Sequence, residues 1–184
     1  RPVGAFFMGH LGDKFGRKRV LIATLILMGA STFAIGLLPT YSQVGALAPA
    51  LLVLLRLLQG FSASGEQAGA NSLTLEHAPP GRRAYYSSFT LSGTQAGSIV
   101  ANAVFLPLAA VLSKEQLLSW GWRIPFLLSV VVVVVGLIIR RTLDETPAFM
   151  EEVAHNEVPR TPLAILLRDH WANVLRVIVA ALVS

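Results

Sequence analysis

Charged and polar positions divide this chain into long apolar stretches joined by short polar segments. Val20–Leu38, Tyr85–Leu112 and Ile124–Ile139 carry no charged residue, and Leu47–Leu75 is equally apolar except for two charges in its interior. A helix needs roughly 20 apolar residues to cross a hydrocarbon core about 30 Å thick, so these stretches predict transmembrane helices. Membrane strands alternate apolar and polar residues, and none of these stretches does. The pattern therefore predicts an all-α membrane protein.

Two shorter apolar segments extend this pattern. Pro2–Leu11 looks like the end of an earlier helix, and Ala172–Val183 looks like the start of a later one. Because the chain begins without Met and ends inside an apolar run, we expect it to be part of a longer protein. The predicted helices of its first part cover residues 1–12, 20–38, 47–75, 85–112 and 122–141.

The distribution of basic residues predicts the orientation in the membrane. Basic residues are concentrated in segments 13–19, 79–83 and 140–168, whereas 39–46 has no charge and 113–121 has one Lys and one Glu. Cytoplasmic loops carry an excess of Lys and Arg, so the three basic segments are predicted to be cytoplasmic. This placement accounts for the net charge of +5 without a nucleic-acid partner.

The ends of the last complete span have an arginine each, and the whole chain lacks cysteine. We expect Arg123 and Arg140 to extend their side chains toward the two membrane interfaces, which lengthens a short span. The absence of Cys excludes a disulfide or thiolate–metal framework. Only 14% of the residues are charged, against about 25% in soluble domains, so a soluble helical protein is a poor alternative.

One predicted span carries two charges at membrane depth, Arg56 and Glu66. An Arg at the centre of such a helix costs about 2.5–3.5 kcal/mol, so charges there usually face a polar cavity. At about 100° per residue, one stripe of this helix holds Arg56, Gln59, Glu66, Gln67 and Asn71. Arg56 and Glu66 are about 15 Å apart along the axis and cannot pair with each other. The stripe predicts a solute and proton pathway, and structural ion pairs between helices are the alternative.

The next span has two faces of different character. Its polar face consists of Ser88, Ser92, Gln95 and Asn102. This face predicts a further part of the pathway, although its polar groups could instead hold helices together through hydrogen bonds. The opposite face has small residues at helical spacing, which predicts close packing on a neighbouring helix; it consists of Gly93, Gly97 and Ala101.

The most specific local pattern lies between the first two helices: Gly9-His-Leu-Gly-Asp13-Lys-Phe-Gly16-Arg17-Lys18-Arg19. With this motif in a short loop, the chain resembles the major facilitator superfamily. It more narrowly resembles the bacterial metabolite:proton symporters, which include carriers of shikimate, dicarboxylates and proline or betaine. Three further segments carry this narrower resemblance: Arg56-Leu-Leu-Gln59-Gly60 followed by Gly65-Glu66, Trp120-Gly-Trp-Arg-Ile-Pro-Phe126, and Leu143-Asp-Glu-Thr-Pro-Ala-Phe149.

The resemblance implies a fold of two six-helix bundles with one solute site between them. The chain would contain the second to seventh helices. Residues 1–141 would form most of the N-terminal bundle, 142–167 the central cytoplasmic loop, and 168–184 the start of the C-terminal bundle. The family's motif would act as a cytoplasmic latch that favours the outward-facing state; its residues here would be Gly9, Asp13, Gly16, Arg17, Lys18 and Glu76.

These observations together predict a carrier in the bacterial inner membrane rather than an enzyme. We expect proton-coupled uptake of a small organic acid or zwitterion, with Arg56 binding a carboxylate and Glu66 carrying the proton. The expected partners are the lipid bilayer and a small solute, for a monomeric carrier without a cofactor or a metal. An exporter of the same superfamily and a membrane sensor without transport are the alternatives. The span that holds Ser92 lacks the Gly-Pro pair of the superfamily's antiporters, which favours a symporter.

Overall fold

The computed structural model describes residues 2–142, 145, 147–155 and 171, and the regular structure of this part of the chain is entirely helical. The predicted all-α class is therefore confirmed. The helices are α1 (Pro2–Phe15), α2 (Arg17–Leu37), α3 (Tyr41–Val44), α4 (Leu47–His77), α5 (Arg83–Val111), α6 (Lys114–Gln116), α7 (Arg123–Thr142) and α8 (Pro147–Ala154), with a π-helical turn at Leu117–Gly121. By length and composition, α2, α4, α5 and α7 can each cross a membrane.

The junction between α1 and α2 differs from the short loop expected for the motif. The two helices run through the motif, and Gly16 alone lies outside both. Its φ of 94° is in the left-handed region, which glycine enters without the steric cost that a side chain brings. The motif is therefore a sharp corner between two helices, and its polar side chains project from their end turns.

The core of the described structure is built around α2, which packs along both α4 and α7, while α1 packs on α4. Glycines allow these close approaches. Val133 of α7 lies directly against the α-carbon of Gly29, and Met8 of α1 lies against Gly65 in α4. Small residues at a helix contact let two backbones approach closely, which is a common basis of packing between membrane helices.

α5 contacts the other helices much less, and none of its residues is buried. A β-carbon added at Gly93 or Gly97 would meet nothing within 4 Å in the described part of the chain. The close packing expected for this glycine face is therefore not found among the residues the structure describes. The physical reason is that the glycine face, which also holds Thr90, meets α4 across a cavity of about 490 Å³ instead of in close contact.

The predicted cytoplasmic segment 142–167 contains α8, which follows α7 after a short connection. Residues 156–170 and 172–184 lie outside the described residues, and with them the rest of that segment and the predicted start of a second bundle.

Candidate transport pathway and cytoplasmic latch

The two charges in α4 have separate surroundings. Arg56 donates from Nη1 to Gln59 Oε1 at 2.9 Å, and its guanidinium carbon lies 6.0 Å from the centre of the Phe126 ring in α7. Gln59 in turn donates from Nε2 to Thr32 Oγ1 of α2 at 2.7 Å. In the described part of the chain no carboxylate pairs with Arg56, so its guanidinium retains donors for another acceptor.

Glu66 lies at the contact of α2, α4 and α7. Its Oε1 forms an ion pair with Nη2 of Arg140. Thr24 Oγ1 lies 3.0 Å from Glu66 Oε2 and 3.0 Å from the carbonyl oxygen of Leu21, so its one hydroxyl proton has two alternative acceptors. Arg140 also donates to the Leu21 carbonyl through Nη1. The carboxylate and its cation are thus both held on the same turn of α2.

Arg140 corrects one expectation from the sequence. It was predicted to extend toward the interface, but it turns inward, and its side chain is only 16% exposed. Side chains on a helix point back toward its N-terminus, and Arg140 lies in the last turn of α7, so its reach is toward the membrane interior. Glu66 offers a charge there, which offsets the cost of removing both groups from water. At the other end of α7, Arg123 donates to two backbone carbonyls, that of Leu38 at 3.0 Å and that of Ser119 at 2.9 Å.

The sequence contained a signal for the two partners of Glu66 that the prediction from sequence did not identify. A carboxylate at membrane depth needs a cation from another helix, and Arg140, at the predicted cytoplasmic end of the last complete span, is one of the arginines that could supply it. Thr24 had a weaker signal, as one of few hydroxyl groups in an otherwise apolar span.

A cavity of about 490 Å³ lies beside Glu66, between α4 and α5. Its polar lining comes from Glu66, Gln67 and Asn71 of α4, and from Thr90 and Thr94 of α5. Thr90 Oγ1 donates to Asn71 Oδ1 at 2.6 Å across one side of it. Three residues of the predicted stripe therefore share one cavity, whereas Arg56 and Gln59 lie nearer the opposite end of α4.

The predicted polar face of α5 does not line this cavity. Ser92, Gln95 and Asn102 are exposed, and Asn102 donates to the carbonyl of Ser98 within its own helix. Thr90, Gly93 and Thr94 face α4 instead. The role of Ser92, Gln95 and Asn102 in a pathway stays a prediction.

The latch residues meet where α1, α2 and α4 end or begin on the predicted cytoplasmic side. Arg17 opens α2 and its guanidinium binds two carboxylates, Asp13 of α1 at 3.5 Å and Glu76 in the last turn of α4. Asp13 is 49% exposed, whereas Glu76 is 22% exposed, so the Glu76 contact is the better shielded from water. Gly9 borders a cavity of about 50 Å³ behind this cluster.

A fourth segment reaches the same corner, and the sequence did not predict it. Glu145 accepts a hydrogen bond from the backbone nitrogen of Lys18 at 3.0 Å, and Lys18 Nζ donates to the carbonyl of Arg141 at 3.3 Å. The carboxylate of Glu145 also lies against Gly16. A negative charge at the first turn of α2 is favourable because the free N–H groups of a helix start are positive.

The chain is similar in sequence to known bacterial transporters. The chain is 46% identical to the inner membrane metabolite transport protein YhjE of Escherichia coli over 170 residues, which cover 92% of this chain and 39% of that protein. It is 37% identical to the proline/betaine transporter of Salmonella typhimurium over 184 residues, covering 95% of this chain and 37% of the relative. The glycine betaine/proline/ectoine/pipecolic acid transporter OusA of Dickeya dadantii gives the same identity and coverage.

The chain thus spans about two fifths of the length of these relatives, which are carriers and not enzymes. The name of the Escherichia coli relative agrees with the inner-membrane location expected from the sequence. The model of the family described as "Sugar (and other) transporter" matches residues 1–172. The chain therefore belongs to this transporter family within the major facilitator superfamily, as the sequence motifs had indicated.

Proposed function

We propose that the complete protein is an inner-membrane carrier that uses a proton gradient to take up a small organic acid or zwitterion by alternating access. The observation that carries this proposal is the carboxylate of Glu66, which lies at membrane depth beside a cavity of about 490 Å³. The names of the relatives support the choice of solute, because proline and betaines are small zwitterions.

Glu66 has the properties of a group that loads and releases a proton. It reaches a polar cavity, which gives water or solute access to one side of the carboxylate. Its other side contacts the guanidinium of Arg140 and the hydroxyl of Thr24. Such a carboxylate has a stable charged state in the protein and a neutral state available on proton uptake, as proton coupling requires.

Arg56 is the candidate for binding the solute carboxylate. Its planar guanidinium matches a carboxylate in a two-pronged geometry, and its partners in the described structure are an amide and an aromatic ring. The distance of about 15 Å along α4 between Arg56 and Glu66 exceeds the length of proline or glycine betaine. We therefore propose separate solute and proton sites on α4 rather than one site with two charges.

The latch supplies the conformational part of the proposal. Contacts of Arg17 with Asp13 and Glu76 tie the cytoplasmic ends of α1, α2 and α4 together. An interaction of a few kcal/mol is enough to shift a two-state equilibrium by orders of magnitude. Closure of this cluster would favour the outward-facing state, and its opening would favour release to the cytoplasm.

The test is solute uptake by the complete protein in vesicles, with an imposed proton gradient and a panel of carboxylates, betaines and amino acids. We expect the wild type to accumulate at least one of them. Glu66→Gln keeps the shape of the side chain but cannot titrate, so we expect it to abolish gradient-driven accumulation and to leave solute exchange intact. The exposed Glu115, outside the spans, provides the matched control Glu115→Gln, which should behave as wild type.

Other results of this experiment would contradict the proposal. Gradient-driven accumulation by Glu66→Gln would remove the coupling role of this carboxylate. Solute expelled against its gradient would indicate an exporter, and binding without accumulation would indicate a sensor.

A further inference from the structure

Three polar side chains form a hydrogen-bonded chain that runs from the backbone of α2 to Arg56 in α4. Thr32 Oγ1 lies 2.7 Å from the carbonyl oxygen of Met28, one turn earlier in α2. Gln59 Nε2 lies 2.7 Å from Thr32 Oγ1, and Arg56 Nη1 lies 2.9 Å from Gln59 Oε1. The position of the guanidinium is therefore tied to a second helix as well as to its own.

The direction of every bond in this chain follows from Arg56. A guanidinium donates hydrogen bonds and never accepts one, so the amide of Gln59 must present its oxygen to Arg56. The amide nitrogen then faces Thr32, and because this nitrogen also only donates, the Thr32 oxygen is the acceptor. The single hydroxyl proton of Thr32 is left for the carbonyl of Met28. Only one orientation of the Gln59 amide therefore satisfies all three contacts.

The guanidinium keeps a free edge in this arrangement. It has five N–H donors, and one of them, on Nη1, binds Gln59. The Phe126 ring of α7 lies 6.0 Å from its central carbon, within the range of a cation–π contact. A carboxylate binds a guanidinium through two parallel N–H groups, so its affinity depends on how the planar group is oriented. Because Gln59 takes one donor and α2 holds Gln59 in place, the edge left for a solute has a set orientation.

We propose that Thr32 is a positioning residue for solute specificity: through Gln59 it holds the Arg56 guanidinium so that its free edge receives the carboxylate of the solute. This inference rests on the proposed solute-binding role of Arg56 and adds the residue of another helix that controls it. The expected consequence is a preference for an acid over its amide, because an amide offers one acceptor oxygen and sets its own N–H groups against the donors. A threonine that only joined α2 to α4 would stabilise the protein without affecting this preference.

The test uses the complete protein and an acid from the uptake panel that the wild type accumulates. Equilibrium binding of the radiolabelled acid, and its displacement by the corresponding amide, give the two dissociation constants without requiring turnover. Thr32→Val leaves the Gln59 N–H group without its acceptor, and we expect it to raise the dissociation constant of the acid about tenfold and to leave that of the amide unchanged. Thr32→Ser keeps the hydroxyl, and we expect it to retain the wild-type preference.

Thr74 in α4 provides the matched control. Its hydroxyl donates to the carbonyl of Ala70, four residues earlier, at 2.8 Å, as that of Thr32 does in α2. In the described part of the chain it has no link to Arg56. Thr74→Val therefore makes the same chemical change and removes the same kind of bond, and we expect it to keep the preference for the acid. An equal loss in this variant would overturn the inference, since the loss of any helix hydroxyl would then explain the effect.

A double substitution separates positioning from an independent effect of Thr32. Arg56→Gln removes the guanidinium, and we expect it to lose the preference for the acid. Thr32→Val then has no guanidinium left to disturb, so the double variant should bind both solutes as Arg56→Gln does. A further loss of acid binding in the double variant would overturn the inference, because Thr32 would then act without Arg56.

The outcomes separate this inference from the proposed function. If the wild type accumulates no acid in response to a proton gradient, the proposed function fails and the inference fails with it. If the wild type does accumulate an acid but Arg56→Gln retains the preference, the solute-binding role of Arg56 fails. Should Arg56→Gln lose the preference while Thr32→Val retains it, the inference alone fails. If Thr32→Val does not reach the membrane, Gln59→Met removes the same link from the side of α4 and decides by the same criterion.

Discussion

Two helices of this protein, α2 and α5, are both apolar enough to cross a membrane but are packed in opposite ways. In α2, 39% of the most apolar stretch is buried by other helices, whereas in α5 the value is 0%. Both helices contain glycines. Those of α2 lie under side chains of α7, and those at the centre of α5 have open space around them in the described structure.

The difference teaches that an apolar span predicts membrane insertion but not helix packing. Lipid is as apolar as a leucine side chain, so hydrophobicity does not distinguish a face that meets lipid from a face that meets another helix. Close approach at small residues and the pairing of polar groups make that distinction. Both are concentrated on the contacts that α2 makes with α4 and α7.

The largest effect is expected at the glycine where α2 meets α7. A β-carbon at Gly29 would overlap the side chain of Val133, and crowding of a packed contact costs about 1–3 kcal/mol. We expect Gly29→Ala to lower the thermal unfolding temperature of the complete protein in detergent, and Gly97→Ala in α5 to leave it unchanged or slightly raised. An equal loss in both variants would show that α5 packs on a segment outside the described residues, and would break the comparison.

A smaller effect is expected at the latch, where shielding from water also differs between two positions. Glu76 is 22% exposed and Asp13 is 49% exposed, although both contact Arg17. Charge-assisted hydrogen bonds contribute about 1.5–3 kcal/mol when shielded, and exposed ion pairs about 0.2–1 kcal/mol. We expect Glu76→Gln to slow turnover by about tenfold and Asp13→Asn by a few-fold, with little change in solute affinity in either. Normal turnover with altered affinity in these variants would argue against the latch.

The smallest effect is expected where α5 is attached to α4. Thr90 Oγ1 has two alternative acceptors, Asn71 Oδ1 of α4 at 2.6 Å and the carbonyl of Ser87 in its own helix at 2.7 Å. Thr94 donates to a carbonyl of its own helix at 3.1 Å, without an acceptor from α4 in the described part of the chain. Hydrogen bonds between membrane helices contribute about 0.6 kcal/mol on average. We expect Thr90→Val to destabilise the protein by about that amount and Thr94→Val to have no measurable effect. Urea-induced unfolding in detergent, compared between the two variants, is the measurement.

Local sequence information was sufficient for the helices but not for their contacts. The predicted stretch 20–38 became α2 at Arg17–Leu37, because runs of uncharged residues and terminal prolines mark a span directly. The polar stripe of α4 was also readable, because it depends only on helical periodicity. The partners of that stripe could not be predicted in this way, since Arg140 lies 74 residues after Glu66 along the chain and only the packing of α7 beside α2 brings the two together.

The sequence also could not predict which face of α5 turns toward α4. Periodicity separated its polar face from its glycine face correctly as positions on a helix. Which face turns toward α4 depends on a rotation about the helix axis, and that rotation is set by contacts such as Thr90 with Asn71. A pattern within one helix contains no information about this choice.

The bend at Gly16 has a consequence for how the chain continues toward its second half. Atoms of Glu145 and Phe149 would lie 3.1 Å from a β-carbon at this position, so the absence of a side chain leaves a seat for the segment after α7. That segment is therefore attached to the first turn of α2. A rearrangement that separates α2 from α1 and α4 would also strain this contact. Opening of the latch would therefore be transmitted to the segment that leads toward any later bundle.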